Sequence, residues 1–277
     1  MKSLKLILAM FATAVTVFSC GQKKEPQKVL VVYYSQTGNT EKVARVIAQS
    51  LNADVEAILP VVPYDGDFGQ TIERGKKELE EGNFPEIRPL ALNPQDYDVI
   101  FLGYPVWFGT YAPPVETYLR SADLSGKKIV PFCTFGSGGL DSSTRDIVAK
   151  EPESEVLPGY GVRAARMDAM PKEVDQFLKA GGFLEGEYVK LEEFPEQHPV
   201  SEAEAAIFDA AVAGYPMINA KAKTTSARAV PDGTEYLFTA ASLPREPIDP
   251  NMPPAQDIRV YVLALDGQLP VFTQVLR

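Results

Sequence analysis

Val29-Leu30-Val31-Val32-Tyr33-Tyr34, then Ser35-Gln36-Thr37-Gly38-Asn39-Thr40, then Glu41–Leu51 is the stretch on which the reading of this chain turns. The unbroken apolar run fits a strand buried on both faces. Glu41–Leu51 places Val43, Ala44, Ile47, Ala48 and Leu51 on one helical face. The turn between them offers three hydroxyls, an amide and a conformationally free glycine. At such a turn the N–H groups of the first helical turn and the positive helix end converge, which suits a phosphate. The loop holds no lysine, so hydrogen bonds would carry most of the binding. The plainer alternative is a polar turn with a hydroxyl helix cap. Neither G-x-x-x-x-G-K-[ST] nor G-x-G-x-x-G spacing follows this strand, which argues against an ATPase or a dinucleotide dehydrogenase.

Outward from this unit the pattern repeats. Strands are expected at Val55–Leu59, Val99–Gly103, Lys128–Phe135 and Val162–Arg166. Helices are expected at Gly69–Glu81, at Pro113–Arg120 with proline at its start, at Thr144–Lys150, and from Pro171 to Gly181-Gly182. Strands alternating with helices imply a parallel three-layer α/β domain over residues 28–185. In such a sheet the strand C-termini share one edge, and ligands bind there.

Two more loops belong to that edge. Tyr104-Pro105-Val106-Trp107-Phe108-Gly109-Thr110-Tyr111 carries the only tryptophan of the chain among other aromatics. It reads as a flat wall for a planar ligand, or else as a buried aromatic plug. Thr134-Phe135-Gly136-Ser137-Gly138-Gly139-Leu140-Asp141 has three glycines that let the backbone approach a ring edge. Together the three loops describe a mononucleotide site with a flat heterocycle.

These segments resemble the flavodoxin superfamily, especially its bacterial branch with a proline-x-tryptophan loop. Ser35–Thr40 matches the S-x-T-G-x-T phosphate loop, Tyr104–Thr110 the second loop and Thr134–Gly139 the third. The resemblance implies FMN as cofactor on a flavodoxin-like five-stranded parallel sheet in a three-layer sandwich. Ser35, Thr37, Gly38, Asn39 and Thr40 would then hold the phosphate. Pro105, Val106, Trp107, Phe108 and Gly109 would line the isoalloxazine, with Trp107 stacking. Thr134, Gly136, Ser137, Gly138 and Gly139 would border its other side. The sequence departs from many small flavodoxins in lacking a tyrosine in the third loop. Only Phe135 is near, which would leave one ring face open to a substrate or electron partner.

After Glu185 the pattern changes. Gly186–Leu191 reads as a short strand and Glu192–Pro199 as a connector. Ser201-Glu202-Ala203-Glu204 is a capping box that opens a helix closed by Gly214. Strands follow over Met217–Val230, Thr234–Ala241, Asp257–Leu265 and Leu269–Leu276, with a proline-rich loop at Leu243–Pro254. Residues 186–277 thus form a small α+β domain, a helix on an antiparallel sheet that resembles cystatin-like modules. It gathers no reactive cluster and reads as a structural or partner-docking module.

Residues 1–27 stand apart. Lys2 and Lys5 precede an apolar run, Leu6–Phe18, of signal-peptide rather than membrane-spanning length. Val17-Phe18-Ser19-Cys20-Gly21 resembles a lipobox, so Cys20 is the expected lipidated N-terminus and the following residues a polar tether. An ordinary secretory signal is the alternative. The expected location is export and a lipid anchor on the bacterial cell envelope. Cys133 is then the one remaining thiol.

Composition narrows the chemistry. The formal charge of -10 argues against nucleic-acid binding. A single histidine, His198, sits in the connector and removes histidine-rich metal sites, so no metal and no catalytic side chain are assigned. Asp65, Asp67, Asp141 and Glu116 are candidates for an acidic rim. The functional reading is an FMN electron carrier serving a redox partner protein or a small quinone-like acceptor. The alternatives are an NAD(P)H-dependent quinone-type FMN reductase and a degenerate, partner-binding lipoprotein.

Overall fold

The computed structural model describes residues 27–215, 217–243 and 256–276. The signal segment, Cys20 and nearly all of the tether and the proline-rich loop lie outside the described residues.

The first unit runs β1 (Val29–Tyr33), α1 (Asn39–Leu51), β2 (Asp54–Ala57), α2 (Phe68–Glu81), β3 (Val99–Trp107) and β4 (Thr110–Tyr111). It continues with α3 (Pro113–Ser121), β5 (Lys128–Phe135), α4 (Leu140–Lys150), β6 (Glu155–Val156), β7 (Tyr160–Arg163) and α5 (Met170–Ala180). The parallel sheet has the order β2-β1-β3-β5, and β6 and β7 both pair with the outer edge of β5. This is the flavodoxin-like fold expected.

Register explains the two hydrophobic layers. Leu30 pairs with Ile100 and Ile100 with Ile129, while Val31 pairs with Phe101 and Phe101 with Val130. Alternate rows face opposite sides, and all six of these side chains have 0% exposure. One face packs against α3 and α4 through Val115, Leu119 and Ile147. The other packs against α1 and α5 through Val43, Ile47, Val174 and Leu178. Burying each such side chain contributes about 1.5–3 kcal/mol. Gly103 is required by packing, because a Cβ there would stand 2.1 Å from the Phe132 ring.

The structure corrects several expectations: the second strand is Asp54–Ala57, and the helix expected from Thr144 begins at Leu140. The fifth strand is Tyr160–Arg163, and Ala164–Arg166 forms a turn of 3-10 helix. The Tyr104–Tyr111 segment is no solvated loop, since β3 runs through Trp107 and folds back onto β4. Gly186–Leu191 is not a strand, because its residues are exposed and find no ladder partner.

The second unit comprises β8 (His198–Pro199), α6 (Glu202–Val212), β9 (Ala220–Val230), β10 (Gly233–Ser242), β11 (Asp257–Leu265) and β12 (Val271–Leu276). Its strands form an antiparallel sheet ordered β12-β11-β10-β9-β8. Ser201 and Glu204 form the expected capping box on α6. The helix buries Phe208 against Phe238, Val260 and Phe272. The linker crosses the opposite face, where Gln197 accepts from Thr224 and Thr239 at 2.7 and 2.8 Å. Among the described residues no helix is long and apolar enough to cross a membrane.

Candidate functional site

The sheet order reverses direction between β1 and β3, so the loops after β1, β3 and β5 meet at one switch point. All three segments singled out in the sequence lie at this edge.

The first loop leads into α1. Gly38 sits at the helix N-cap with φ 86°, a left-handed conformation that favours glycine. Its N–H donates to Ser35 Oγ at 3.1 Å, and no side chain caps the helix. By contrast, α2 and α6 close their first turns with capping boxes, and α3 and α5 begin with proline. The first-turn N–H groups of α1 therefore remain available to an anion. Thr37 is exposed beside them, and Ser35 and Asn39 are half-buried. Thr40 is placed differently: the residue is 1% exposed and its hydroxyl shares a 2.9 Å hydrogen bond with that of Thr134. These two form the floor that joins the first loop to the third. Thr134 is accordingly buried beneath the rim.

The second loop is a tight hairpin. Phe108 and Gly109 turn it at φ 52° and 85°, and Trp107 pairs with Thr110. Two consecutive left-handed residues suit such a turn, but they strain a bulky side chain. Phe108 is 53% exposed all the same. Trp107 is held from behind: Tyr34 and Tyr64 meet it edge-on with centroids 6.0 and 5.2 Å away. Gly75 of α2 lets the indole approach so closely that a Cβ would stand 3.1 Å from it. Trp107 is thus half-buried, a wall with a packed back.

Behind that wall lies a polar chain. Tyr34 donates to Gln36 Oε1, Gln36 Nε2 donates to the Tyr64 carbonyl at 2.6 Å, and Tyr64 donates to Glu78. Arg74 pairs with Glu78 at 2.8 Å and lies 3.8 Å from the Tyr64 ring centroid. Burial, with Glu78 adding, pushes both phenols well above the ordinary tyrosine value, so they stay neutral.

The third loop is pinned at each residue. Arg163 Nε donates to the Gly136 carbonyl at 2.9 Å. Val275 N–H donates to the Ser137 carbonyl at 2.6 Å. A Cβ on Gly138 would stand 2.3 Å from the Val275 carbonyl oxygen, and one on Gly139 2.5 Å from Val106 Cγ1. Ser142 Oγ donates to the Gly109 carbonyl and ties the second loop to the third. Phe135 is buried in the core and does not face the rim. The second unit packs on the third loop through the end of β12. Tyr215 Oη stands 3.1 Å from where a Gly136 Cβ would be.

The acidic candidates separate. Asp65 lines a cavity with Ser35, Gln36 and Tyr64, and Asp141 lines another beside Gly138. Asp67 caps α2. Glu116 is not at the rim: it is 6% exposed and bound by Tyr111, Arg120 and Lys150. His198 is exposed on β8, 3.5 Å from Glu204, and Cys133 is fully buried. Tyr34, Gln36, Tyr64, Arg163, Tyr215 and Val275 carried no signal as site residues. Their roles come from side-chain packing and from a strand more than a hundred residues downstream.

The chain is similar to known proteins. A family model described as flavodoxin matches residues 28–176. A protein of Bacteroides eggerthii, provisionally named a flavoprotein, is 28% identical with a TM-score of 0.47, over 54% of this chain and 96% of its own. A flavoprotein of Lactobacillus acidophilus solved in complex with FMN is 22% identical with a TM-score of 0.45, over 52% of this chain and 98% of its own.

Proposed function

The chain belongs to the flavodoxin family, and from that premise we propose that it binds FMN at the three-loop edge and carries electrons at the cell envelope. The observation that carries this reading is the uncapped first turn of α1, set beside Ser35 and Thr37 at the same sheet edge as Trp107.

The residues fit the cofactor. N–H groups of the Gly38–Glu41 turn and the hydroxyls of Ser35 and Thr37 would hold the phosphate, with the helix dipole favouring its charge. Val106, Trp107, Phe108 and Gly109 would flank one side of the ring system and Gly136–Gly139 the other. Bound FMN supplies reversible electron transfer at its isoalloxazine. The protein packs Trp107 against Tyr34 and Tyr64, and it lays the end of β12 against the third loop. The envelope location is supported by Lys2, Lys5, the Leu6–Phe18 run and Cys20.

Reconstitution tests the cofactor. Purified protein given micromolar FMN is expected to retain a flavin spectrum with quenched fluorescence; no retained flavin overturns the reading. Ser35→Ala with Thr37→Ala is expected to weaken FMN more than riboflavin, and equal losses would refute the phosphate assignment. Incorporation of radiolabelled palmitate that disappears in Cys20→Ala tests the anchor. Steady-state turnover of NAD(P)H with a quinone would replace the carrier reading with a reductase.

A further inference from the structure

The second unit and the third loop enclose a cavity of about 260 Å³. One wall is Gly138, Gly139 and the first turns of α4, and the other is the ends of β11 and β12. Arg145 on α4 and Arg259 on β11 both line it, so each unit contributes one arginine. Both are exposed, and neither is ion-paired with a carboxylate among the described residues.

That lack sets them apart. Arg45, Arg74, Arg120, Arg166 and Arg228 are each ion-paired, and Arg163 donates to two carbonyls. Among the described arginines only Arg88, which lies elsewhere, also lacks a protein partner for its guanidinium. In a chain of net charge -10, two arginines without an ion-pair partner among the described residues that line one cavity form a local positive site. Asp141 also lines the cavity. On the same wall α4 has Gly139 as its N-cap, with φ 120° and no side-chain cap, which adds donors there. Planar guanidinium forks match carboxylate and phosphate oxygens in pairs.

We propose that this inter-unit cavity binds an oxyanion-bearing small molecule, a carboxylate or a phosphate, clamped between Arg145 and Arg259. Gly109, Gly138 and Gly139 line the cavity and also border the proposed flavin edge, so the ligand is placed as the small-molecule redox partner. Only that last role rests on the FMN reading. The clamp itself needs both units, which gives the second unit a function: it completes a binding site that the flavodoxin-like part holds in half.

Equilibrium dialysis of radiolabelled inorganic phosphate and of succinate against the full chain tests the clamp. FMN is present in saturation, so that phosphate is kept from the first loop, and FMN binding is measured separately by its spectrum. Phosphate or succinate is expected to bind and to lose affinity about tenfold or more in Arg145→Gln and again in Arg259→Gln. Lys221→Gln, on an exposed face of β9, controls for loss of general charge and is expected to bind as the parent does. Binding of phosphate alone assigns a phosphate ester; binding of both assigns oxyanions at large. The inference is overturned if neither anion binds, if Arg259→Gln has no effect, or if Lys221→Gln weakens binding equally. If FMN itself fails to bind, the FMN reading falls. An anion affinity that still depends on both arginines then leaves the clamp standing.

Discussion

Arg163 at the end of β7 and Phe272 on β12 clasp the two units together. The guanidinium carbon lies 3.4 Å from the Phe272 ring centroid while the same side chain donates to the Phe272 carbonyl at 2.8 Å. Its remaining bond, to the Gly136 carbonyl, fixes the third loop. Arg163 is only 8% exposed, and burial draws its guanidinium below the ordinary value. One side chain thus serves a ring, a strand end and a loop.

Arg163→Leu is expected to cost about 1–3 kcal/mol, since it orphans the buried Phe272 carbonyl and frees that of Gly136. Denaturant unfolding monitored by fluorescence and by circular dichroism is expected to separate into two transitions. Arg163→Lys is not expected to rescue it, because a single ammonium cannot serve two carbonyls and a ring face. One unchanged cooperative transition would contradict the clasp.

Gly138→Ala places a methyl against the Val275 backbone, and neither partner is a flexible side-chain end. The strand end is expected to lift, speeding proteolysis of the exposed linker at residues 185–196. Gly214→Ala, where a Cβ meets nothing within 4 Å, is the matched control and is expected to leave the digestion rate unaltered.

Thr40→Val removes one half of a buried hydroxyl pair and leaves Thr134 unsatisfied. The expected loss is about 1–3 kcal/mol, with weaker FMN retention because the floor joins two of the three loops. Thr40→Ser keeps the hydroxyl and is expected to lose far less on both counts. Thermal unfolding and fluorescence titration read the two effects.

Glu116 makes stability depend on acid. Burial raises its carboxyl, but hydrogen bonds from Lys150, Tyr111 and Arg120 outweigh this and hold it below the usual carboxylate range. A lowered folded value means the contribution is complete above about pH 4.3, the unfolded carboxyl value, and is lost as pH falls through the lowered one. Glu116→Gln is expected to cost about 2 kcal/mol at neutral pH. The gap from the parent should close toward pH ~3. A gap that is constant with pH would show that the ion pairs contribute nothing.

Cys133 is fully buried in β5, and burial pushes its thiol well up, with Asp141 adding. Thiolate is the reactive form. An aromatic disulfide reagent is therefore expected to label it only at the rate of unfolding, and rapid labelling of native protein would refute this placement.

Much of the fold was legible because periodicity is a local signal. Val29–Tyr34 read as a doubly buried strand, and Leu30, Val31 and Val32 are at 0% exposure. Ser201 and Glu204 read as a capping box because that motif closes within four residues. Gly186–Leu191 misled because its alternation finds no neighbouring strand, and a strand without a partner is not a strand. The Tyr104–Tyr111 hairpin was missed because Phe108 takes a left-handed φ that favours glycine, asparagine or aspartate.

The sequence by itself determined the alternating architecture, the family and the three segments at one sheet edge. It could do so because strand burial, helix faces and the S-x-T-G-x-T spacing are written in neighbouring residues. Only the tertiary structure decided how those segments are held. Thr40 and Thr134 meet across 94 positions, and Arg163 reaches Phe272 across 109. That a second unit lies on the third loop, with its strand end Val275 against Gly138, was likewise beyond local pattern. Contacts of that separation depend on the register and packing of both units at once, and no local pattern along the chain records them.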